Sequence, residues 1–347
     1  MPNKNTPTVL HTRATRAQVA HAAGVSESTV SRALANSSLI SSEVKRRVHE
    51  AASRLDYVAS RQAAGFASSR TFHIGLVVRS YGSFAPFSRA YFPALLDGAV
   101  LGAEERGYRV TIVLDRLHTS AVDLVRVVRA HEVDGLLLSV TPGDDVRICA
   151  LRESASALVL INNYLDGFSS VDARPEPGMR LAFDHALSLG HRRFGYITGD
   201  MHFKNATDRL DTFNALAREF AVETDVVQGD FSRRSGYIAA GRMLCAATRP
   251  TVIMTAADRA ALGVLDYCHD HRVAVPGDVS VIGYDNFDPA RDVTPRLTTV
   301  DNPVTMAGKA GAHILIDRIE GISNEPVQQW LPTGFVARES SGPCPGP

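Results

Sequence analysis

Long apolar runs are missing from this 347-residue chain, and none is long enough to cross a bilayer. The opening stretch, MPNKNTPTVLHTRAT, lacks the apolar core of a secretion signal and reads as a loose leader. Cysteines are few. Cys149, Cys245, Cys268 and Cys344 lie too far apart for a metal-ligand spacing or a disulfide framework, and the first three read as packed thiols beside apolar segments. GxSxG, HExxH, a strand-to-helix GxGxxG and GxxxxGK[ST] are all absent. Paired acids such as Glu104 with Glu105 and Asp144 with Asp145 fall at helix ends or loops, where solvation accounts for them. The scattered histidines, among them His118, His131, His185, His191, His269 and His271, read as surface or helix-end residues. The expectation is a cytoplasmic protein with no catalytic constellation, no metal, no cofactor and no membrane contact.

Net charge is also missing, because 37 Lys and Arg balance 37 Asp and Glu. The balance hides an asymmetry. Residues 1–70 hold ten basic and four acidic side chains, a net of +6, so the remainder carries −6. A basic head on an acidic body points to polyanion contact at one end only. At 45% hydrophobic, the chain suffices for two or three packed domains.

What is present begins with TRAQVAHAAGVSESTVSRAL, residues 15–34, which read as two short helices around a glycine turn. Thr15 caps the first, with Gln18 as its capping-box partner, and Val19, Ala20 and Ala23 give it an apolar face. Gly24 ends it, Val25 offers a core contact and Ser26 caps the second helix, whose buried stripe is Val30, Ala33 and Leu34. Glu27, Ser28, Thr29, Ser31 and Arg32 remain polar, suited to base edges and backbone in a major groove. A third helix over 43–55 turns Val44, Val48, Ala51 and Leu55 inward and leaves Lys45, Arg46 and Arg47 available for phosphates. Such a helix pair also occurs in proteins that never meet DNA; the charge asymmetry favours the DNA-reading alternative.

Beyond Arg70, short Val/Ile/Leu-rich runs alternate with helix-patterned stretches. HIGLVV, YRVTIVL, GLLLSV and ALVLINN form one set, and RRFGYIT, TDVVQG, TVIMTA and VSVIGYD a second. Helices are expected over 92–106 and 121–131. Buried parallel strands read as continuous apolar runs, so two sets of βα units are the natural parse. Two such lobes place a ligand at strand C-terminal ends, in the cleft between them.

The whole resembles the lactose repressor family of bacterial transcription regulators. The landmarks are AHAAGVSESTVSRAL and ISSEVKRRVHEAASRLDY in the head, then IGLVV, LLDGAVLGAEERGY, LGHRRFGYITG, DRLDTF, VPGDVSVIGYDN, TPRLTTVDNPV and LPTGFVARESSG. The resemblance implies an all-α helix-turn-helix head (15–59) after a flexible leader (1–14), then a hinge (60–70). An α/β, two-lobed, periplasmic-binding-protein-like sensor follows over 71–340. Its lobes would comprise about 71–171 plus 301–328, and 172–300 plus 329–340, with a flexible tail at 341–347. It implies a nucleoid-associated repressor, homodimeric on a near-palindromic duplex operator, whose affinity changes when a sugar or sugar acid enters the cleft. The closing SGPCPGP cannot form a heptad helix, which favours a dimer.

By the same resemblance, Thr15 and Ser26 sit where backbone N–H groups meet phosphates, Glu27, Ser28 and Thr29 where bases are read, and Ser31 and Arg32 at the family's shared pair. Asn36 stands one place beyond the family's usual asparagine, where this chain has Ala35. Arg61 and Phe66 of the connector are expected on DNA, Phe66 as a minor-groove wedge, although Gly65 weakens a hinge helix by about 1 kcal/mol relative to alanine. Effector contacts are expected from Arg79, Tyr81, Tyr91, Phe92, Asn162, Arg209 and Asp285. Ala257 replaces a frequent asparagine ahead of Asp258. A transport-type sugar-binding protein and a metabolic enzyme on the same lobes are the alternatives; the first should lack the basic head, the second should show a catalytic constellation.

Overall fold

The computed structural model describes residues 14–34, 37–57, 70–79, 87, 89–115, 121–139, 148, 150–151 and 157–346. The chain divides into two units, Met1–Phe72 and His73–Pro347.

The first unit contains α1 (Arg16–Ala23), α2 (Glu27–Leu34) and α3 (Ser42–Arg54). The α1 capping box forms as its sequence demands: Gln18 N donates to Thr15 Oγ1 at 3.3 Å and Thr15 N to Gln18 Oε1 at 2.8 Å. Gly24 ends α1 in the left-handed region at φ 61°, which glycine adopts without a Cβ clash. Val19, Ala20, Ala23, Val30, Ala33, Val48, Ala51 and Ala52 form the core, with Val25, Leu34, Ile40, Val44 and Tyr57 packed against it. Leu55 departs from expectation. The helix stops at Arg54, so Leu55 caps it and is 37% exposed, while Ala52 and Tyr57 fill the inward positions.

The second unit holds two six-stranded sheets. The first contains β1 (His73–Arg79), β2 (Arg109–Asp115), β3 (Gly135–Ser139), β4 (Ala157–Ile161), β5 (Ser169–Arg174) and β11 (Gln328–Pro332), in the order β11-β5-β4-β3-β1-β2. The second contains β6 (Arg193–Ile197), β7 (Glu223–Val227), β8 (Val252–Thr255), β9 (Ser280–Asp285), β10 (Thr298–Asp301) and β12 (Gly334–Val336), in the order β12-β10-β9-β8-β6-β7. Every pairing is parallel except β10 with β12. In each sheet the strand order reverses beside the first strand, which creates the crevice where ligands enter such sheets. The first lobe carries α4 (Tyr91–Glu105) and α5 (Ala121–Arg129); the second carries α6 (Pro175–Ser188), α7 (Lys204–Glu219), α8 (Arg233–Leu244), α9 (Asp258–Asp270) and the short α10 (Asp288–Asp292). Helix α11 (Val304–Glu320) returns to pack on α4. Glycines permit that approach: a Cβ at Gly98 would lie 1.9 Å from the Thr305 carbonyl oxygen.

Two expectations about chain path need correction. Residues 172–174 and 329–332 belong to the first sheet, because β11 pairs in parallel with β5 from Gln328↔Ser170 to Pro332↔Arg174. The final crossing therefore falls at Thr333, whose Oγ1 donates to Arg174 O at 2.7 Å and accepts from Gly178 N at 2.8 Å. Nor is the segment after Ser340 loose. Gly342 is buried and its carbonyl accepts from the ring of His191, while Cys344 N donates to Leu189 O at 2.8 Å. Among the described residues no helix is long and apolar enough to cross a membrane.

Candidate functional site

In the head, Ser26 Oγ accepts from Thr29 N at 3.2 Å and shares hydrogen bonds with Ser28 Oγ and Thr29 Oγ1, each at 2.8 Å. That cap fixes the start of α2 and gathers Ser28 and Thr29 at its exposed end. Glu27 is ion-paired with Arg16 of α1 at 2.9 Å, and the same guanidinium reaches Ser31 Oγ at 3.3 Å. Glu27 and Ser31 are thus held by α1 in the DNA-free head. Arg32 is exposed and its side chain makes no hydrogen bond or ion pair among the described residues. Two of the basic residues singled out on α3 are less available than their charge suggested. Arg46 bridges Glu43 and Glu50 on its own helix, both at 2.7 Å, and Arg47 donates to the Ala23 carbonyl, tying α3 to the end of α1. Arg61 and Phe66 lie outside the described residues, as do Ala35 and Asn36.

In the sensor, consecutive strand ends deliver the first lobe's polar groups. Ser139 ends β3, Asn162 follows β4 and Asp172 lies near the end of β5. Tyr91, on the first turn of α4, joins two of them: its hydroxyl pairs with Ser139 Oγ at 3.0 Å and accepts from Asn162 Nδ2 at 2.5 Å. Phe92 is buried, with its ring edge-on to Tyr91 at 5.3 Å. Arg79 closes β1, and Tyr81 lies outside the described residues.

The second lobe supplies the charged centre. Arg209 of α7 is only 6% exposed. Its Nη1 donates to the Ala256 carbonyl and its guanidinium carbon lies 3.8 Å from the Tyr284 ring centroid, a cation–π contact in a desolvated place. Nη2 faces Asp285 Oδ1 at 3.8 Å, and Asn302 Nδ2 donates to that same oxygen at 3.0 Å. Asp285 ends β9 with φ 132°, a conformation L-residues rarely adopt, and strain of that kind concentrates at ligand sites. Phe231 lies on another side of Arg209 at 5.9 Å.

Burial governs the protonation of this cluster. It pushes the Asp172 carboxyl up to about 6, against a single hydrogen bond from Ala173 N–H. It also raises Asp285, opposed by Arg209, and raises Asp258, which feels the Asp285 charge and accepts from Thr299 Oγ1 and Phe287 N. Asp172 interacts electrostatically with Asp208, Lys204 and Arg209, and Tyr91 senses Asp172, Arg209 and Asp285. The two lobes therefore contribute to one buried polar cleft. Tyr91, Asn162, Arg209 and Asp285 meet there. Asp172, Tyr284 and Ser139 join them without having been singled out; Tyr284 precedes Asp285 directly, while the other two hide in strand segments.

A helix-turn-helix unit and a two-lobed sensor with a polar cleft define a DNA-binding regulator that carries a ligand-binding domain. The family model described as bacterial regulatory proteins, lacI family, matches residues 17–60, and the periplasmic binding protein-like domain matches residues 183–341. The HTH-type transcriptional regulator CelR of Thermobifida fusca is 30% identical over 335 residues, covering 94% of this chain and 98% of that protein. The HTH-type transcriptional repressor PurR of Escherichia coli is 29% identical over 337 residues, covering 94% and 96%. The solved complex of CelR with cellobiose superposes with TM-score 0.73, over 94% of this chain and 100% of that one. The lac repressor dimer bound to operator and the anti-inducer ONPF, at 24% identity, shares the fold with TM-score 0.79 over 95% and 99%. The chain belongs to the LacI family of bacterial transcriptional regulators.

Proposed function

We propose that this regulator is a repressor that binds a near-palindromic operator as a homodimer and changes its affinity when a sugar-class metabolite enters the cleft. Recognition would run through Ser28 and Thr29 at base edges, with Thr15, Ser26 and Arg32 on the backbone and the 60–70 connector between half-sites. The observation that carries the effector half is the buried Arg209–Asp285 pair against the Tyr284 ring. A fixed fork, a carboxylate and an aromatic face are the groups that hold a hydroxylated ring. Cellobiose, bound by the CelR relative, supports the same class of ligand here. Coupling is allosteric in the strict sense: ligand and operator occupy different sites, and each biases the arrangement the other prefers.

The test is selection from randomised duplex DNA by the purified protein at fixed salt, since phosphate contacts dominate affinity. Enrichment of a near-palindrome supports the reading. Failure to enrich any sequence, with and without a sugar panel, overturns it.

A further inference from the structure

Several acceptors at the cleft lack a hydrogen-bond partner among the described residues. Asp172 is 5% exposed; Ala173 N–H serves its Oδ1, and Oδ2 has no hydrogen bond among the described residues. Asn302, 6% exposed, spends its amide on Asp285, and its Oδ1 is buried without a partner. Asn205, one helical turn before Arg209 on the same face of α7, also has a buried, unpartnered Oδ1. These are acceptors; the buried Tyr196 hydroxyl, which feels the Arg209 charge, also lacks a partner and can donate as well as accept. The strongest donor in the cleft is already committed, with Arg209 on the Ala256 carbonyl and against Asp285. A buried polar atom left unmatched is costly, so atoms of this kind mark what a ligand must supply.

Charge points the same way. Lys204 is bound to Asp208 at 2.5 Å and Arg209 faces Asp285, which leaves Asp172, like Asp258 deeper in the second lobe, with no ion-pair partner among the described residues. Lys204, Asp208 and Arg209 act on it electrostatically, and Tyr91 and Tyr284 sense it. Arg89 and Arg259 belong to a separate cluster around Asp230 and are not among those groups.

Resting on the sugar-class reading above, we infer that the effector is an uncharged, hydroxyl-rich molecule that donates to Asp172 from the first lobe and to Asn205 and Asn302 from the second. Asp172 is then the specificity residue that rejects sugar acids. A carboxylate or phosphate brought to this cleft would set acceptors against acceptors and add a second anion beside Asp172. A hydroxylated ring supplies the missing donors to both lobes at once and so favours their closure.

Calorimetric titration of the full-length protein with matched probes tests this: glucose against glucuronate, galactose against galacturonate, cellobiose against cellobionate. The inference predicts that whichever pair binds does so at least tenfold more tightly through its neutral member. An acid that binds as tightly as its neutral partner overturns the inference while leaving the sugar-class reading standing; no binding by any pair overturns both. The variant Asp172→Asn should weaken the neutral ligand by about ten- to a hundredfold and narrow its preference over the acid. Equal weakening of both members would assign Asp172 a merely structural role. Should that variant fail to fold, the selectivity of the native protein still decides the matter.

Discussion

Arg209 and Tyr284 are in face contact, the guanidinium carbon 3.8 Å from the ring centroid, with both side chains buried in the second lobe. A planar cation suits this place because it can stack, donate to Ala256 and face Asp285 together. Replacement by Arg209→Lys keeps the charge and loses the stack and the fork. Effector affinity should fall by about tenfold or more, consistent with about 1–2 kcal/mol for a desolvated cation–π contact. Calorimetry reads it; an unchanged affinity would remove Arg209 from the ligand site.

Asp285 lies at the other end of that contact. Asp285→Ala should abolish the shift in operator affinity produced by the bound ligand, with effector-free operator binding as the folding control. Fluorescence anisotropy of a labelled duplex is the measurement, and a normal response would count against the cleft.

On the head, Arg32→Ala should weaken binding to all duplexes alike and reduce the slope of log affinity against log salt by about one. Ser28→Ala should instead change which sequences are enriched. A uniform loss at Ser28, or a sequence-selective loss at Arg32, would reverse their roles.

Asp172 yields a pH prediction. Burial raises its folded pKa to about 6, above the ordinary value of about 3.9 for an unfolded chain. Its proton therefore stabilises the folded state fully below about pH 4, and that contribution is lost as pH rises through about 6. The ligand-free native protein should gain stability relative to Asp172→Asn as pH falls from about 7.5 to about 5. His191, buried, and His185, half-buried, are both lowered by desolvation and act in the opposite direction, and they cancel in the comparison with the variant. Urea unfolding at each pH reads the difference; a flat difference would contradict the burial of this carboxyl.

His191 ties the chain's last segment to the second lobe. Its ring meets Thr251 Oγ1 at 2.9 Å, Ser280 Oγ at 3.1 Å and the Gly342 carbonyl at 3.0 Å. His191→Ala should cost about 2–4 kcal/mol, as expected when a fully buried hydrogen-bond network is broken. It should also expose the 341–346 segment to proteolysis. Protection equal to that of the native protein would contradict the docking.

Much of this architecture was legible in the chain itself. The capping box at Thr15, the glycine at position 24 and eight apolar runs each carry a local signal, and each became the expected element. Strands β5, β10, β11 and β12 were not legible because their stability comes from neighbours. SSVDAR and QQWLP mix polar and apolar residues and become strands by pairing at the sheet's margin, SSVDAR with both β4 and β11 and QQWLP with β5. The docked tail was hidden for the same reason: SGPCPGP has no periodicity, and the partners named for it across the lobe lie from 43 to 156 residues away. In the cleft, Arg209 and Asp285 were named from family landmarks, whereas Asp172 needed the three-dimensional proximity of two lobes to become visible. Arg46 and Arg47 show the converse: a basic run readable as a phosphate contact is largely occupied by internal partners.

The most direct test of the central claim is reciprocal linkage between the two sites. Using a duplex recovered by selection, operator affinity is measured with and without a saturating neutral sugar, and sugar affinity with and without the duplex, at one salt concentration. A two-site allosteric regulator requires the same factor in both titrations. That factor should lie between about 5 and 150. An operator affinity that ignores a sugar bound in the cleft would contradict the account.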